Sequence, residues 1–501
     1  MADILKIDNF QKGMEESPEL GFEEVRNVEL DTKQGVAKIA FATKKKSGTA
    51  VVSLVNFISR GAVGSGGRFN AVCENGNVWQ INNFGDASTD FSDVGTASVA
   101  TAWGMAVWKS HLFVAETDKL NVMVLADGKW RPDDGGGFQN INSSVYHHMI
   151  VGQDDKLYIC AGQAVASLAE VDGQTFSPTN SATYTWTAEA LDLPDGYTAS
   201  CLAEQGVNLM IGSMFQVSAG NEKQYASSRR AEIFPWDRSS DSFFLPIVLE
   251  ERGISAMISV NNLIYFFAGV EGRCYVTDGT SVREVFRLPY DLVNDAGVLH
   301  TAVVLPGALQ YYKGKIIFGL MRAVDGGGAS AGNYAQVWSY DIERKRLAIE
   351  NEIASGFSAG SKIGALLPVR KDQYLIGWED SVPAFGVDRV ENDTRYTSYK
   401  SVIRSVFYRI GSKAQPIPLV ELEYELARPL ATGQGVRFSY RTDHSASFTT
   451  IATSDFATDG AIQGKTIGLK VWADGAFQLQ VEMTTGAASS TTPELRSVKI
   501  R

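Results

Sequence analysis

The chain has 501 residues, 44% hydrophobic and 21% charged, enough to bury a large core and to build one big domain with a smaller one beside it. The 57 acidic against 46 basic residues leave a formal net charge of −11. That balance argues against a general grip on nucleic acid through a basic face and agrees with a soluble, non-adhesive surface.

In chain order, the opening "MADILKIDNF" is charged within a few residues and lacks the apolar stretch of roughly 7–15 residues that a secretory signal needs. No run anywhere approaches the roughly 20 apolar residues of a membrane span. The expectation is a soluble protein made in the cytoplasm, with no membrane insertion. A polar lead-in, an acidic stretch and a strand pair turned at "DTKQG" fill residues 1–50. This segment reads as an N-terminal arm that either clasps a neighbouring subunit or closes the domain after it. Ile4, Ile7 and Phe10 are its apolar candidates for a subunit contact.

From residue 51 to about 390 one unit keeps returning: a short apolar strand, a polar turn and a second apolar strand. "GMAVWKSHLFVAE" from Gly104, "AMISVNNLIYFFAGVEGRCYVTDG" from Ala256 and "GALQYYKGKIIFGLM" from Gly307 are three copies. Starts recur roughly every 40 to 55 residues, and each copy holds about three or four strands ending in turns such as "VDGQT", "TDGTS" or "YDIERKR". A four-stranded unit of that period leaves both faces partly exposed until copies stack around an axis. The pattern predicts an all-β chain with a β-propeller of about seven blades. After the polar stretch "DRVENDTRYTSYKS" the style changes to longer strands linked by Gly, Thr and Ser turns, which predicts a β-sandwich over 391–501. Within it, "SYRTDHSASFTTI" (Ser439–Ile451) faintly resembles a sialidase Asp-box hairpin but lacks its glycine and tryptophan, and reads as a turn.

Chemistry-bearing patterns are sparse. Cys73, Cys160, Cys201 and Cys274 lie far apart in apolar contexts with no CxxC pair, and read as reduced core residues. The pair His147–His148 opens a strand, so its rings should point to opposite faces and not share a metal. No HExxH, Walker loop, EF-hand loop or GxSxG elbow occurs, and the glycine runs "DGGGF" and "DGGGASAG" lack a following Lys-Ser/Thr. Neither a metal nor another cofactor is expected. Glu116, Asp278, Asp341 and Glu379 fall near strand ends and are the carboxylates a glycosidase propeller would have to pair. In "SSRRAEIFPWDRSSD", Arg229, Arg230, Glu232, Trp236, Asp237 and Arg238 mix bases, acids and an aromatic. This stretch reads as a solvated loop or, through Arg229, Arg230 and Trp236, as a subunit contact, ahead of a catalytic reading.

The opening "NFQKGMEESPELGFEEVRNVELDTKQGVAKI" resembles the start of tailed-bacteriophage tail structural proteins, where Asn-Phe, a nearby Gly and a Ser-Pro precede such a strand pair. The closing "FQLQVEMTTGAASSTTPELRSVKIR" is similar to the end of such virion proteins, whose last domain finishes on a Pro-x-Leu-x-Ser-Val-x-Ile strand. With a propeller between them, the resemblance is to a tail nozzle or hub protein. It implies a non-enzymatic virion protein of the tail, assembled in the host cytoplasm. It also implies a hexameric ring below the portal and adaptor, through which DNA passes without sequence-specific binding. The rival expectation is a propeller at the tail tip that binds or cleaves carbohydrate. A cellular interaction propeller of the WD or kelch kind is the weaker rival, because "PWD" at Trp236 stands alone.

Overall fold

A computed structural model describes residues 5–7, 22–30, 36–47, 51, 53–60, 69–81, 91–96, 102–126, 128–131, 137–142, 147–215, 230–288, 300–324, 336–354, 361–370, 373–380, 384–397, 400–410, 415–431, 433–443, 446–451, 465–473, 475–485 and 492–501. Among them there is no α-helix: the chain is all-β, interrupted only by short 3-10 turns. Among the described residues, seven antiparallel meanders of four strands follow one another along the sequence, the second carrying a fifth short strand, Gln139–Asn140. They begin at Val55–Arg60, Ala102–Trp108, Met149–Val151, Tyr197–Gln205, Ile254–Val260, Leu309–Tyr312 and Lys362–Arg370. These first strands touch in order, and the seventh touches the first, so the meanders close a ring around an axis. The body of the protein is a β-propeller.

The returning unit has a physical explanation at both its ends. Its polar turn is a two-residue hairpin loop with left-handed backbone at both positions: Lys109 and Ser110 (φ 47° and 60°), Asn261 and Asn262 (φ 51° and 64°), Lys313 and Gly314 (φ 53° and 79°). Such loops match the right-handed twist of the strands they join. Gly104, which opens one copy, lies where neighbouring blades meet backbone to backbone, since a Cβ there would fall 1.8 Å from the His147 carbonyl oxygen; one on Gly307 of the sixth meander would fall 2.0 Å from the carbonyl oxygen of Asn56 in the first. Five meanders also share one register shift between first and second strand, at Val55/Phe57, Ala102/Gly104, Ala199/Cys201, Ile254/Ala256 and Ile363/Ala365. A bulge there bends the strand and re-aims one side chain per blade. Ser200, at one such bulge, donates from its hydroxyl to the carbonyls of Gly212 (3.0 Å) and Ile254 (2.6 Å), tying the fourth meander to the fifth.

Apolar side chains fill the spaces between blades. Tyr158 and Cys160 of the third meander pack with Leu202, Ile211 and Phe234 of the fourth, and Cys201 and Met210 pack with Met257 and Phe266 of the fifth. All four cysteines are buried and none forms a disulfide.

Two further sheets form the sandwich. One runs Val28–Glu29, Ala37–Ile39, Glu494–Ile500, Ile417–Leu426, Lys465–Ala473, with Leu5–Ile7 added on Glu494–Ile500. The other runs Phe22–Arg26, Ser401–Ser405, Gln478–Thr484, Gly435–Arg441, Thr449–Thr450, and continues into the sixth meander through a parallel pairing of Arg26 with Ile349. Thr449–Thr450, in the Asp-box-like stretch, is the edge strand of that second sheet.

The expected division into an arm (1–50), a propeller (51–390) and a sandwich (391–501) is therefore redrawn at its first boundary. The described parts of residues 1–50 do not form a separate arm. Four of their strands belong to the sandwich, and the fifth, Phe41–Lys45, is the outer strand of the seventh meander, antiparallel to Ala384–Arg395. Burial drives this arrangement, since Ile7, Phe22, Val25, Val28 and Ile39 all enter one core with Leu422, Val481 and Val498.

Candidate functional site

The residues singled out from sequence separate rather than converge. Ile7 is 7% exposed and stands opposite Val498, so it serves this chain's own sandwich and is not available to a neighbour. Ile4, Phe10 and Arg229 lie outside the described residues. Trp236, 3% exposed, is wedged against Tyr158 at 5.9 Å between ring centroids and donates its indole N–H to the Ser240 carbonyl at 2.7 Å. It is a core residue, which corrects its reading as a subunit contact. Arg230 remains on the surface, 3.5 Å from a still more exposed Glu250.

The rest of that stretch is structural. Asp237 caps its turn by accepting from the Ser239 and Ser240 amides at 2.9 and 2.8 Å, which holds its carboxyl down at about 2. Arg238 bridges to Glu204 at 2.6 Å and to Asp154 of the third meander at 3.5 Å. Glu232 accepts the Tyr197 hydroxyl proton at 2.8 Å.

The two histidines do diverge, as the strand pattern predicts. His147 sets its ring nitrogens 2.7 Å from the Cys160 carbonyl oxygen and 3.2 Å from that of Thr117, on the second-meander side. His148 accepts from the Leu202 amide of the fourth at 3.0 Å, and burial lowers its pKa to about 4. The four carboxylates sit on four different meanders. Asp278 caps a turn, Asp341 pairs with Arg344 at 2.9 Å, Glu379 pairs with Lys362 at 3.6 Å, and Glu116 is fully buried. Among the described residues no three His, Cys, Asp or Glu side chains gather as a metal group would require.

What the fold does assemble is a cleft where the sixth and seventh meanders meet the N-terminal strands, with a volume of about 290 Å³. The sixth meander brings Tyr312, Lys313 and Lys315 from its first hairpin and Glu350 and Asn351 from its last strand. Tyr374 and Val390 come from the seventh, Phe41 from the closing strand, and Glu29 from the sandwich. Tyr312 and Tyr374 meet edge to face at 5.7 Å. Phe41 is held by the Asn351 amide, which donates to its carbonyl at 2.7 Å, and by the Arg395 guanidinium 4.0 Å from its ring. Arg395 in turn pairs with Glu29 at 3.1 Å. Lys315 pairs with Glu350, which also accepts from the Ser339 hydroxyl at 2.7 Å. Burial alone would raise the Glu350 carboxyl, but the Lys315 ammonium outweighs it and holds the group below its ordinary value.

Behind the cleft lies a buried polar joint. Asn27, in left-handed conformation (φ 54°), donates to Glu352 Oε2 at 3.2 Å and accepts from the Glu352 amide at 3.1 Å. Tyr396 donates to the Glu352 carbonyl at 2.9 Å. Asp388, fully buried, accepts from the Trp378 indole at 2.7 Å and from the Ala354 amide. Desolvation pushes its pKa up to about 6 against the pull of those bonds and of Lys45 and Lys46. Sequence reasoning missed both cleft and joint, whose members come from five separated segments. The one local signal is the tyrosine pair in "QYYKGK", two adjacent aromatics beside a tight turn.

No family model matches the chain, and no curated protein matches it. Among solved structures, the computationally designed Ika8 protein is similar at 12% identity and a TM-score of 0.36, covering 71% of this chain and 93% of that one. YCF48 bound to D1 peptide is similar at 10% identity and 0.44, over 75% and 100%. The extracellular domain of the two-component system BT4673 from B. thetaiotaomicron is similar at 10% and 0.46; the match covers 82% of this chain and about half, 47%, of that one. The fold assignment rests on the strand pairing itself, and these similarities accompany it.

Proposed function

We propose that the chain is a structural subunit of a tailed-bacteriophage tail, a ring-forming nozzle or hub component that borders the DNA exit channel. One observation carries the reading. The two stretches that resemble tail proteins, at opposite ends of the chain, lie side by side: Ala37 stands opposite Leu495 and Lys38 opposite Glu494 in one sheet. They share one sheet, and the same N-terminal segment continues directly into the strand that closes the propeller. A part that must survive the passage of DNA under pressure benefits from having its ends tied into its core. The charge fits as well: each phosphate neutralised by Lys or Arg adds counterion-release affinity, and a net −11 surface does little of that.

In this reading the protein has no catalytic role and works through contacts: with copies of itself in a closed heterologous ring, and with portal, adaptor or other tail proteins. Mass photometry and negative-stain electron microscopy of the purified protein test it. Closed rings of about six subunits with an open centre are expected. A strict monomer at all concentrations, absent from tail preparations by mass spectrometry, overturns it.

A further inference from the structure

We propose that the cleft between the sixth and seventh meanders binds a neutral pyranose, a single uncharged sugar ring. Three features of the cleft select that chemistry. Its size, about 290 Å³, falls just under the roughly 300–1,000 Å³ of small-molecule sites, room for one ring rather than a nucleotide or a peptide. Its carboxylates are already taken up by cations: Glu350 pairs with Lys315 and Glu29 with Arg395. A charged ligand would have to compete with one of these ion pairs, whereas a neutral ligand displaces neither.

Its surface is also mixed. The rings of Tyr312, Tyr374 and Phe41 offer apolar area, while an entirely apolar ligand would strip water from the Lys315–Glu350 pair with nothing to replace it. A pyranose presents both faces needed. Its axial C–H groups lie on an aromatic ring and its hydroxyls donate and accept at the rim. Glu350, which takes bonds from Lys315 and Ser339 through Oε1, is the lining carboxylate that a sugar hydroxyl would donate to, and charge-assisted bonds of this kind are the stronger ones. The site lies within one chain, so it operates whether or not the subunits form a ring.

Saturation-transfer NMR of the full chain tests this, with methyl β-D-glucopyranoside and N-acetyl-D-glucosamine as neutral probes and D-glucuronate and D-glucosamine as charged ones. The expected result is transfer to the neutral probes, competition between them, and weaker signals from the charged pair. Tyr312→Ala should weaken binding about tenfold with Tyr312→Phe near the parent, since the ring rather than the hydroxyl supplies the platform. Lys313→Glu sits on an exposed turn and serves should Tyr312→Ala not fold: it makes the cleft anionic and should turn preference from N-acetyl-D-glucosamine to D-glucosamine. Absence of transfer to both neutral probes overturns the proposal. So does binding that folded Tyr312→Ala leaves unchanged, or a preference that Lys313→Glu does not move.

Discussion

At the centre of the ring, the second and third meanders approach until Gly104 lies against the His147 carbonyl with no room for a side chain. At the joint with the sandwich, the chain meets itself through side chains instead: Asn27, Glu352 and Tyr396 exchange buried hydrogen bonds, and Asp388 beside them takes the Trp378 indole and the Ala354 amide. The first arrangement is made of backbone shape and is repeated around the ring with small variations. The second occurs once. Repetition suits apolar and backbone packing, which only needs matching surfaces. A buried polar network works only when each donor finds its acceptor, so it specifies one pairing of distant segments.

The largest expected effect separates the ring from the sandwich edge. Gly104→Ala forces a Cβ to 1.8 Å from a carbonyl oxygen of the next blade, and backbone on both sides must move. We expect a loss of more than about 4 kcal/mol, or failure to fold, in urea unfolding followed by circular dichroism. Gly468→Ala, with nothing within 4 Å of the added carbon in the edge strand of the sandwich, should change stability by less than about 0.5 kcal/mol. Equal effects at the two sites would remove the ring's close approach as the reason for the recurrent glycine.

An intermediate effect is expected at the joint. Asn27→Ala removes three side-chain hydrogen bonds, two with Glu352 and one to the Lys400 carbonyl at 3.1 Å, and leaves alanine in a left-handed conformation. The loss should be about 2–3 kcal/mol in the same measurement. Asn27→Gly restores conformational freedom without the bonds and should recover about 1 kcal/mol of it. A glycine variant no more stable than the alanine one would show that the backbone conformation costs nothing here.

The same contrast explains what was legible in the sequence. Blade structure is written locally: "WKSHL", "VNNLI" and "YKGKI" each encode a hairpin turn within five residues. The all-β reading and the propeller follow from such signals. The bulges were not legible, because the extra residue is Asn56, Trp103, Ser200, Ser255 or Gly364 with no shared identity. Nor was the fate of the N-terminal strands. The Ile39 amide finds the Thr492 hydroxyl 453 positions away, and nothing within either segment names the other. Trp236 was misjudged for a related reason: its neighbours in sequence are charged, but the tyrosine that covers it belongs to another blade.

The smallest expected effect is also the one that most directly sets the two regions against each other, because acid should weaken one and strengthen the other. His148 accepts an amide proton between the third and fourth meanders and titrates near 4 in the folded protein, below its ordinary value near 6.5. The unfolded chain takes up that proton first, so the stability His148 contributes is complete above about 6.5 and is lost as pH falls toward 4. Asp388 has the opposite displacement, from 3.8 up to about 6, and burial likewise raises Glu352. There the folded protein binds the proton more tightly, so the contribution is complete below about 4 and is lost as pH rises through 6. Hydrogen exchange resolved by peptide, corrected for intrinsic rates, should therefore show the strand Tyr197–Gln205 losing protection between pH 7 and pH 5 while Ala384–Arg395 gains it. Each change should be on the order of 1–2 kcal/mol. His148→Gln should abolish the first change and leave the second, and Asp388→Asn the reverse. If both segments move in the same direction, the ring and the joint do not differ in the way their buried groups indicate, and a global charge effect governs both.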